Sequence, residues 1–166
     1  MQKLNHLISQ LAKILIQKNL KVATAESCTG GQVAYLLTSI SGSSAWFDRG
    51  FVTYSNASKE EMLGVAKSLL SQFGAVSAET AKAMAEGILK HSHADVSIAI
   101  TGIAGPMGGT TDKPVGTVWI AWGSNTTEAI AQCFHFSGDR CKIRDEASKM
   151  AITKLLEKDF LAKLSV

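Results

Sequence analysis

Cysteine is scarce in this 166-residue chain: Cys28, Cys133 and Cys141 are odd in number and irregularly spaced. They suggest neither a disulfide framework nor a zinc-type pairing, so free thiols in a reducing cytosol are expected. Long apolar runs are missing too. Stretches such as Val118–Trp122 are far too short to cross a bilayer. The opening Met-Gln-Lys-Leu-Asn-His lacks the apolar core and small-residue cleavage site of a signal peptide. A cytoplasmic protein without a membrane partner is therefore expected. Massed basic charge is also absent, because the net charge is only +3 and the lysines and arginines are scattered. That balance argues against a nucleic-acid partner, which usually meets a clustered basic face, yet it tolerates a small anionic ligand. No repeat, low-complexity tract or linker divides the sequence, and residues 1–166 read as one domain. A hydrophobic fraction of 46% beside 19% charged residues is enough for that domain to build a core.

Periodicity orders the elements. Leu4, Ile8, Leu11 and Leu15 recur at helical spacing, predicting a first helix over about Lys3–Lys18. Asn19 can end it, and Lys21–Ala25 then reads as a short strand. Glu26-Ser27-Cys28-Thr29-Gly30-Gly31 follows, leading into helical spacing at Val33, Leu36, Leu37 and Ile40. A strand is expected over Trp46–Thr53, and helices over about Ala57–Leu63, Lys67–Phe73 and Ala78–His91, the last capped by Ser77. Val96–Thr101 reads as a buried strand, and Gly116–Trp122 with Ala129–Phe136 as a strand pair. One long amphipathic helix is expected from Asp139 to Leu164. Helices flanking strands at both ends of the chain predict a three-layer α/β/α sandwich with a mixed β-sheet. Ligands of such sheets usually sit in the loops at strand ends.

Four segments could carry chemistry. Ser27, Cys28 and Thr29 occupy a strand-to-helix turn that can lift a nucleophile clear of the sheet and aim backbone amides at an oxyanion. From spacing alone a plain capping role for Ser27 or Thr29 is favoured, and the pattern does not choose between Ser27 and Cys28. His6, His91, His93 and His135 occupy no triad-like setting, so packing or surface roles fit them better. Lys59 follows Tyr54-Ser55-Asn56-Ala57-Ser58 at a predicted helix start, where the dipole and poor solvation would both lower its pKa. A lysine in a first turn is ordinarily just solvated. Thr101–Gly109 holds four glycines and a proline after a buried strand, but it lacks both the Walker ending and the dinucleotide spacing. Ser137-Gly138-Asp139-Arg140 reads as a helix start whose arginine could meet a phosphate, although capping alone would account for it.

Taken together, the segments are more specific. Ala25–Gly31, Arg49–Asn56, Thr101–Pro106, Lys113–Val118 and Ser137–Arg140 occur in the order of one family. The chain resembles the CinA C-terminal-domain family, the nicotinamide-nucleotide amidases, over nearly its whole length. The resemblance implies hydrolysis of nicotinamide mononucleotide to nicotinic acid mononucleotide and ammonia, within pyridine nucleotide recycling. It assigns Ser27 as nucleophile, Lys59 as general base, and Tyr54 as a residue beside that dyad. It places Thr29, Gly30, Gly31, Thr101, Gly102, Gly105 and Arg140 at the substrate, with Arg140 the candidate for its phosphate. No redox cofactor is implied, and the sequence shows no cluster of metal-ligand type. A homodimer is expected from the resemblance and from apolar Trp46, Phe47, Trp119 and Trp122, some of them at a surface. A stand-alone form, without the N-terminal domain of longer family members, is expected, and Met107 interrupts the glycine-rich loop. Two alternatives stand beside the amidase: a nucleotide-sensing module without turnover, and a thiol enzyme working through Cys28.

Overall fold

The structure is a computed structural model that describes residues 2–157 and 161. In chain order the elements are α1 (Gln2–Gln17), β1 (Val22–Glu26), α2 (Gln32–Leu37), a short 3₁₀ turn (Ser43–Ala45), β2 (Phe47–Val52), α3 (Asn56–Leu63), α4 (Lys67–Phe73), α5 (Ala78–Lys90), β3 (Val96–Gly102), β4 (Thr117–Ser124), β5 (Thr127–His135) and α6 (Arg140–Glu157). Expected and observed elements agree to within about two residues at nearly every boundary. The exceptions are α2, which ends before Ile40, and α6, which ends at Glu157 with Leu161 in a turn. The remainder of the extension expected to Leu164 lies outside the described residues.

The sheet has five strands in the order β2-β1-β3-β4-β5. β1 runs parallel to both β2 and β3, whereas β3–β4 and β4–β5 are antiparallel. The mixed sheet follows from connection lengths, since a helical crossover serves the parallel pairs and a short turn joins β4 to β5. Alternation along the strands divides two cores. Val22, Val96, Ile98, Ile100, Val118, Ile120 and Trp122 face Ile8, Leu11 and Leu15 of α1, Val33 and Leu37 of α2, and Ile143, Ala147, Ala151 and Leu155 of α6. Ala23, Ala25, Ala99 and Ala121 face α3 to α5 through Leu63, Leu70, Ala81, Met84, Ala85 and Ile88. This is the expected three-layer α/β/α sandwich.

Trp46 and Trp122 are fully buried, so they belong to the monomer core and not to a surface; Phe47 and Trp119 are half-buried. The Trp122 indole donates to the Ala151 carbonyl at 3.0 Å, satisfying its one polar group. Removing so large a buried ring would cost about 3–5 kcal/mol.

Register fixes where chemistry can gather. Glu26, the last residue of β1, pairs with Val52 on one side and Ile100 on the other. The chain therefore leaves β1, β2 and β3 along one sheet edge, at Ser27, Thr53 and Ile103. β1 connects through α2 to β2 on one side, and the next crossover passes to β3 on the other. Such a switch in direction opens a crevice at the carboxyl ends of the strands.

Candidate active site

The turn after β1 is built around Glu26, a buried carboxylate that sequence reading passed over. Gly30 and Gly31 have left-handed φ values of 59° and 96°, and Gly31 caps α2 with no side-chain acceptor. The first amides of that helix therefore need an acceptor from elsewhere. Glu26 supplies it. Its Oε2 accepts from Thr29 Oγ1 at 2.7 Å, Gly31 N at 3.1 Å and Val33 N at 3.0 Å. Its Oε1 accepts from Ala34 N at 2.8 Å. A helix start capped only by glycine, just after an acidic strand end, was the available signal.

Ser27 sits on this turn, its amide held by the Ile100 carbonyl at 2.9 Å. Its Oγ lies 3.2 Å from Lys59 Nζ, across 32 positions of sequence. Lys59 is on the first turn of α3, fixed by a reciprocal cap in which Ser55 and Ser58 each bond the other's backbone amide. Its Nζ also donates to the Thr53 carbonyl at 2.9 Å and, at 3.5 Å, to that of Tyr54. The Thr53 amide in turn donates to the Glu26 carbonyl at 2.9 Å, so both halves of the dyad hang from the end of β1. Lys59 is only 1% exposed, and no ion pair involving it occurs among the described residues. Burial lowers its pKa from the ordinary lysine range. Burial has the opposite effect on its neighbour, the Cys28 thiol, which is pushed up to about 12. At neutral pH Cys28 is thus a protonated thiol, a poor nucleophile.

The dyad opens into a pocket of about 280 Å³. Thr101, Gly102, Gly105, Tyr54 and Arg140 line it, together with Cys28, Ala75, Val76, Ile103 and Ala104. Thr101 is buried and donates to the Ala75 carbonyl at 2.7 Å, tying β3 to the segment after α4. Gly102 must be small, because a Cβ there would stand 2.8 Å from both the Thr117 carbonyl oxygen and Val118 Cγ2. Arg140 bridges the mouth, donating to the Gly105 carbonyl at 2.8 Å and to the Tyr54 hydroxyl at 3.0 Å. Tyr54 thus meets the dyad through its carbonyl, while its exposed phenol lies with Arg140.

Thr29, Gly30 and Gly31 do not line this pocket. The Thr29 side chain is buried against Glu26, and the two glycines border a separate recess with Tyr35 and Arg144. Glu26 claims the Gly31 amide and the Ser27 carbonyl claims that of Gly30 at 3.1 Å. Asn56, named in the sequence only within the motif before Lys59, lines the pocket from the start of α3, exposed and polar. Met107, the interruption in the glycine-rich loop, also lines the pocket and is 85% exposed. No group of three or more His, Cys, Asp or Glu side chains that could hold a metal occurs among the described residues. No described helix is long and apolar enough to cross a membrane.

Known proteins resemble this chain over most of its length. The nicotinamide-nucleotide amidohydrolase PncC of Enterobacter agglomerans is 46% identical over 155 residues, spanning 93% of this chain and 94% of that one. Its counterpart in Escherichia coli K12 is 49% identical over 153 residues, spanning 92% and 93%. A longer CinA-like protein of Akkermansia muciniphila is 49% identical over 143 residues, which are 86% of this chain but only 34% of that one. Among solved structures, the competence/damage inducible protein CihA from Agrobacterium tumefaciens superimposes with a TM-score of 0.91 at 42% identity, covering 96% of both chains. With the CinA C-terminal domain model matching residues 4–158, this chain belongs to the CinA C-terminal domain family.

Proposed function

We propose that the protein is a nicotinamide-nucleotide amidase that hydrolyses nicotinamide mononucleotide to nicotinic acid mononucleotide and ammonia through a serine–lysine dyad. The observation that carries the mechanism is the 3.2 Å separation of Ser27 Oγ from a buried Lys59 amine that has no carboxylate partner among the described residues. Relatives named as amidohydrolases of the nicotinamide nucleotide, matched nearly end to end, support the substrate.

In the reactive state Lys59 is a neutral amine that donates to the Thr53 carbonyl and accepts the Ser27 hydroxyl proton. Ser27 Oγ then bonds to the carboxamide carbon, and the carbonyl electrons move to its oxygen. The Cys28 amide, which donates to no other described residue and belongs to a residue lining the pocket, is the donor offered to that oxyanion. Collapse breaks the C–N bond, and ammonia leaves with the proton from Lys59. Water, deprotonated by the same amine, attacks the acyl carbon, and Ser27 recovers its proton as the ester opens. Ala75, Val76, Ile103 and Ala104 offer apolar wall for the ring, whereas Arg140, Tyr54 and Asn56 face the phosphoribosyl end at the mouth.

A cytoplasmic enzyme within pyridine nucleotide recycling fits this chemistry, as does a homodimer. With Trp46 and Trp122 internal, dimerisation rests on the family and on exposed Tyr35 and Val52, the latter on the edge strand β2. The test of function is incubation with nicotinamide mononucleotide, with ammonia and the nucleotide product measured together. Equal molar release of both is expected. Tight binding without ammonia would point to a sensing module and overturn the reading.

A further inference from the structure

Glu26 has no place in the chemical steps above, yet it is the most heavily coordinated side chain near the nucleophile. It is 1% exposed, and all four of its side-chain partners are donors. None is a lysine or arginine, and no ion pair to Glu26 occurs among the described residues. Its partners are instead Thr29, Gly31, Val33 and Ala34, the stretch that begins two residues beyond Ser27. They close the turn in a loop whose only amides without a partner residue are those of Cys28 and Thr29. The other side of the same residue holds the base, because the Glu26 carbonyl accepts the Thr53 amide and the Thr53 carbonyl accepts Lys59 Nζ.

We propose that Glu26 is a positioning residue for catalysis: its carboxylate occupies the start of α2 and thereby holds Ser27 and the Cys28 amide in register with Lys59. The inference rests on the serine–lysine reading of this site. A cap that served stability alone could bind any of the orphan amides. This one gathers those beyond Gly30 and leaves free the two that follow the nucleophile. Its ring of donors matches a carboxylate and no neutral isostere. With Gln in its place, a carbonyl oxygen can face the three donors at Oε2, but the amide group then points its own N–H at Ala34 N–H. The first turn of α2 must shift to relieve that opposition, and Ser27 shifts with it.

The experiment compares wild type, Glu26→Gln, Thr29→Val and, as a remote stability control, Ile8→Val in the core beneath α1. Steady-state turnover of nicotinamide mononucleotide is measured beside thermal midpoints. Labelling by a fluorophosphonate is followed as well, in which Ser27 Oγ bonds to phosphorus and fluoride leaves. Misplacing a reacting group by about 1 Å can cost about 100-fold. Glu26→Gln should accordingly lose about 100-fold in kcat and in labelling rate, with KM within about twofold of wild type. Thr29→Val keeps its shape while losing one bond to Glu26, and should lose roughly 5- to 10-fold in kcat. It keeps the test decisive if Glu26→Gln does not fold. Ile8→Val should lower the thermal midpoint without changing kcat. A Glu26→Gln or Thr29→Val protein that melts earlier but keeps the wild-type kcat and labelling rate would overturn the proposal, as would a change confined to KM. A wild type that labels at Ser27 without releasing ammonia would remove the substrate assignment alone, and the labelling ratios would then decide the role of Glu26.

Discussion

Gly87→Ala should damage catalysis although Gly87 lies outside the pocket. Gly87 lies in α5 where α3 crosses it, and a Cβ there would stand 2.8 Å from Leu63 Cβ and 3.1 Å from the Leu63 carbonyl carbon, with the carbonyl oxygen closer still. The obstacle is backbone, so it cannot be relieved by a rotamer. α3 must move away. Lys59 sits one turn earlier on the same helix, and its 3.2 Å approach to Ser27 depends on where that helix lies. Because the obstacle is backbone, overpacking falls in the upper part of its usual range, about 2–3 kcal/mol, and the gain in helix preference over glycine returns about 0.5–1, leaving a net loss of about 1–2.5 kcal/mol. For a chain of this length that lowers the thermal midpoint by roughly 2–10 °C. A shift of α3 by a sizeable fraction of an ångström should reduce kcat by roughly 10- to 100-fold. Calorimetry and ammonia release from the same preparation measure both. A Gly87→Ala enzyme with unchanged midpoint and unchanged kcat would refute the reasoning, because it would show that α3 has room at this crossing.

Three further outcomes follow from the site. Lys59 must be unprotonated to act, and its pKa is lowered by burial, so kcat/KM should rise with pH and reach its plateau below the ordinary lysine value of about 10.4; a profile without that rising limb contradicts a lysine base. Arg140→Ala should raise KM for the nucleotide by roughly 10- to 100-fold, the worth of a charge-assisted phosphate bond, and change weak turnover of the phosphate-free nucleoside far less; equal losses on both would mark Arg140 as the strut between Gly105 and Tyr54 that the ligand-free geometry shows. Light scattering at micromolar concentration should give a dimer mass, and a monomer mass would reject the dimer.

Much of the architecture was legible because hydrophobic period and strand spacing carry it. The stripe from Leu4 to Leu15 announced α1, and the mostly apolar stretch from Val96 to Ile100 announced a buried strand. Helix ends were less legible. α2 ends at Leu37, three residues short of the Ile40 spacing, where Thr38 takes a non-helical conformation and turns its hydroxyl to the Ala34 carbonyl. The site was legible in types and order but not in division of labour. The sequence puts the serine in one segment and the tyrosine and lysine in another, and only register along β1 shows that the two meet. Spacing also could not reveal that the amides of Gly30 and Gly31 are already claimed, since their acceptors, the Ser27 carbonyl and Glu26, depend on how the turn closes. Nor could it show that the Tyr54 phenol turns to Arg140 while its carbonyl faces Lys59. The choice between Ser27 and Cys28 became a physical one once burial was known. The thiol is held protonated by the same low-polarity surroundings that favour a neutral amine on Lys59.

The central claim is that Ser27, activated by neutral Lys59, opens the amide bond. Ammonia release from nicotinamide mononucleotide by wild type, Ser27→Ala, Cys28→Ala and Lys59→Arg, each confirmed folded, tests it most directly. Ser27→Ala and Lys59→Arg should both fall by at least about 1,000-fold, the first for want of an attacking atom and the second because a guanidinium cannot serve as a neutral base. Cys28→Ala should keep most of its activity. A fast Ser27→Ala enzyme, or a dead Cys28→Ala beside it, would contradict the claim and move the nucleophile one residue along the turn.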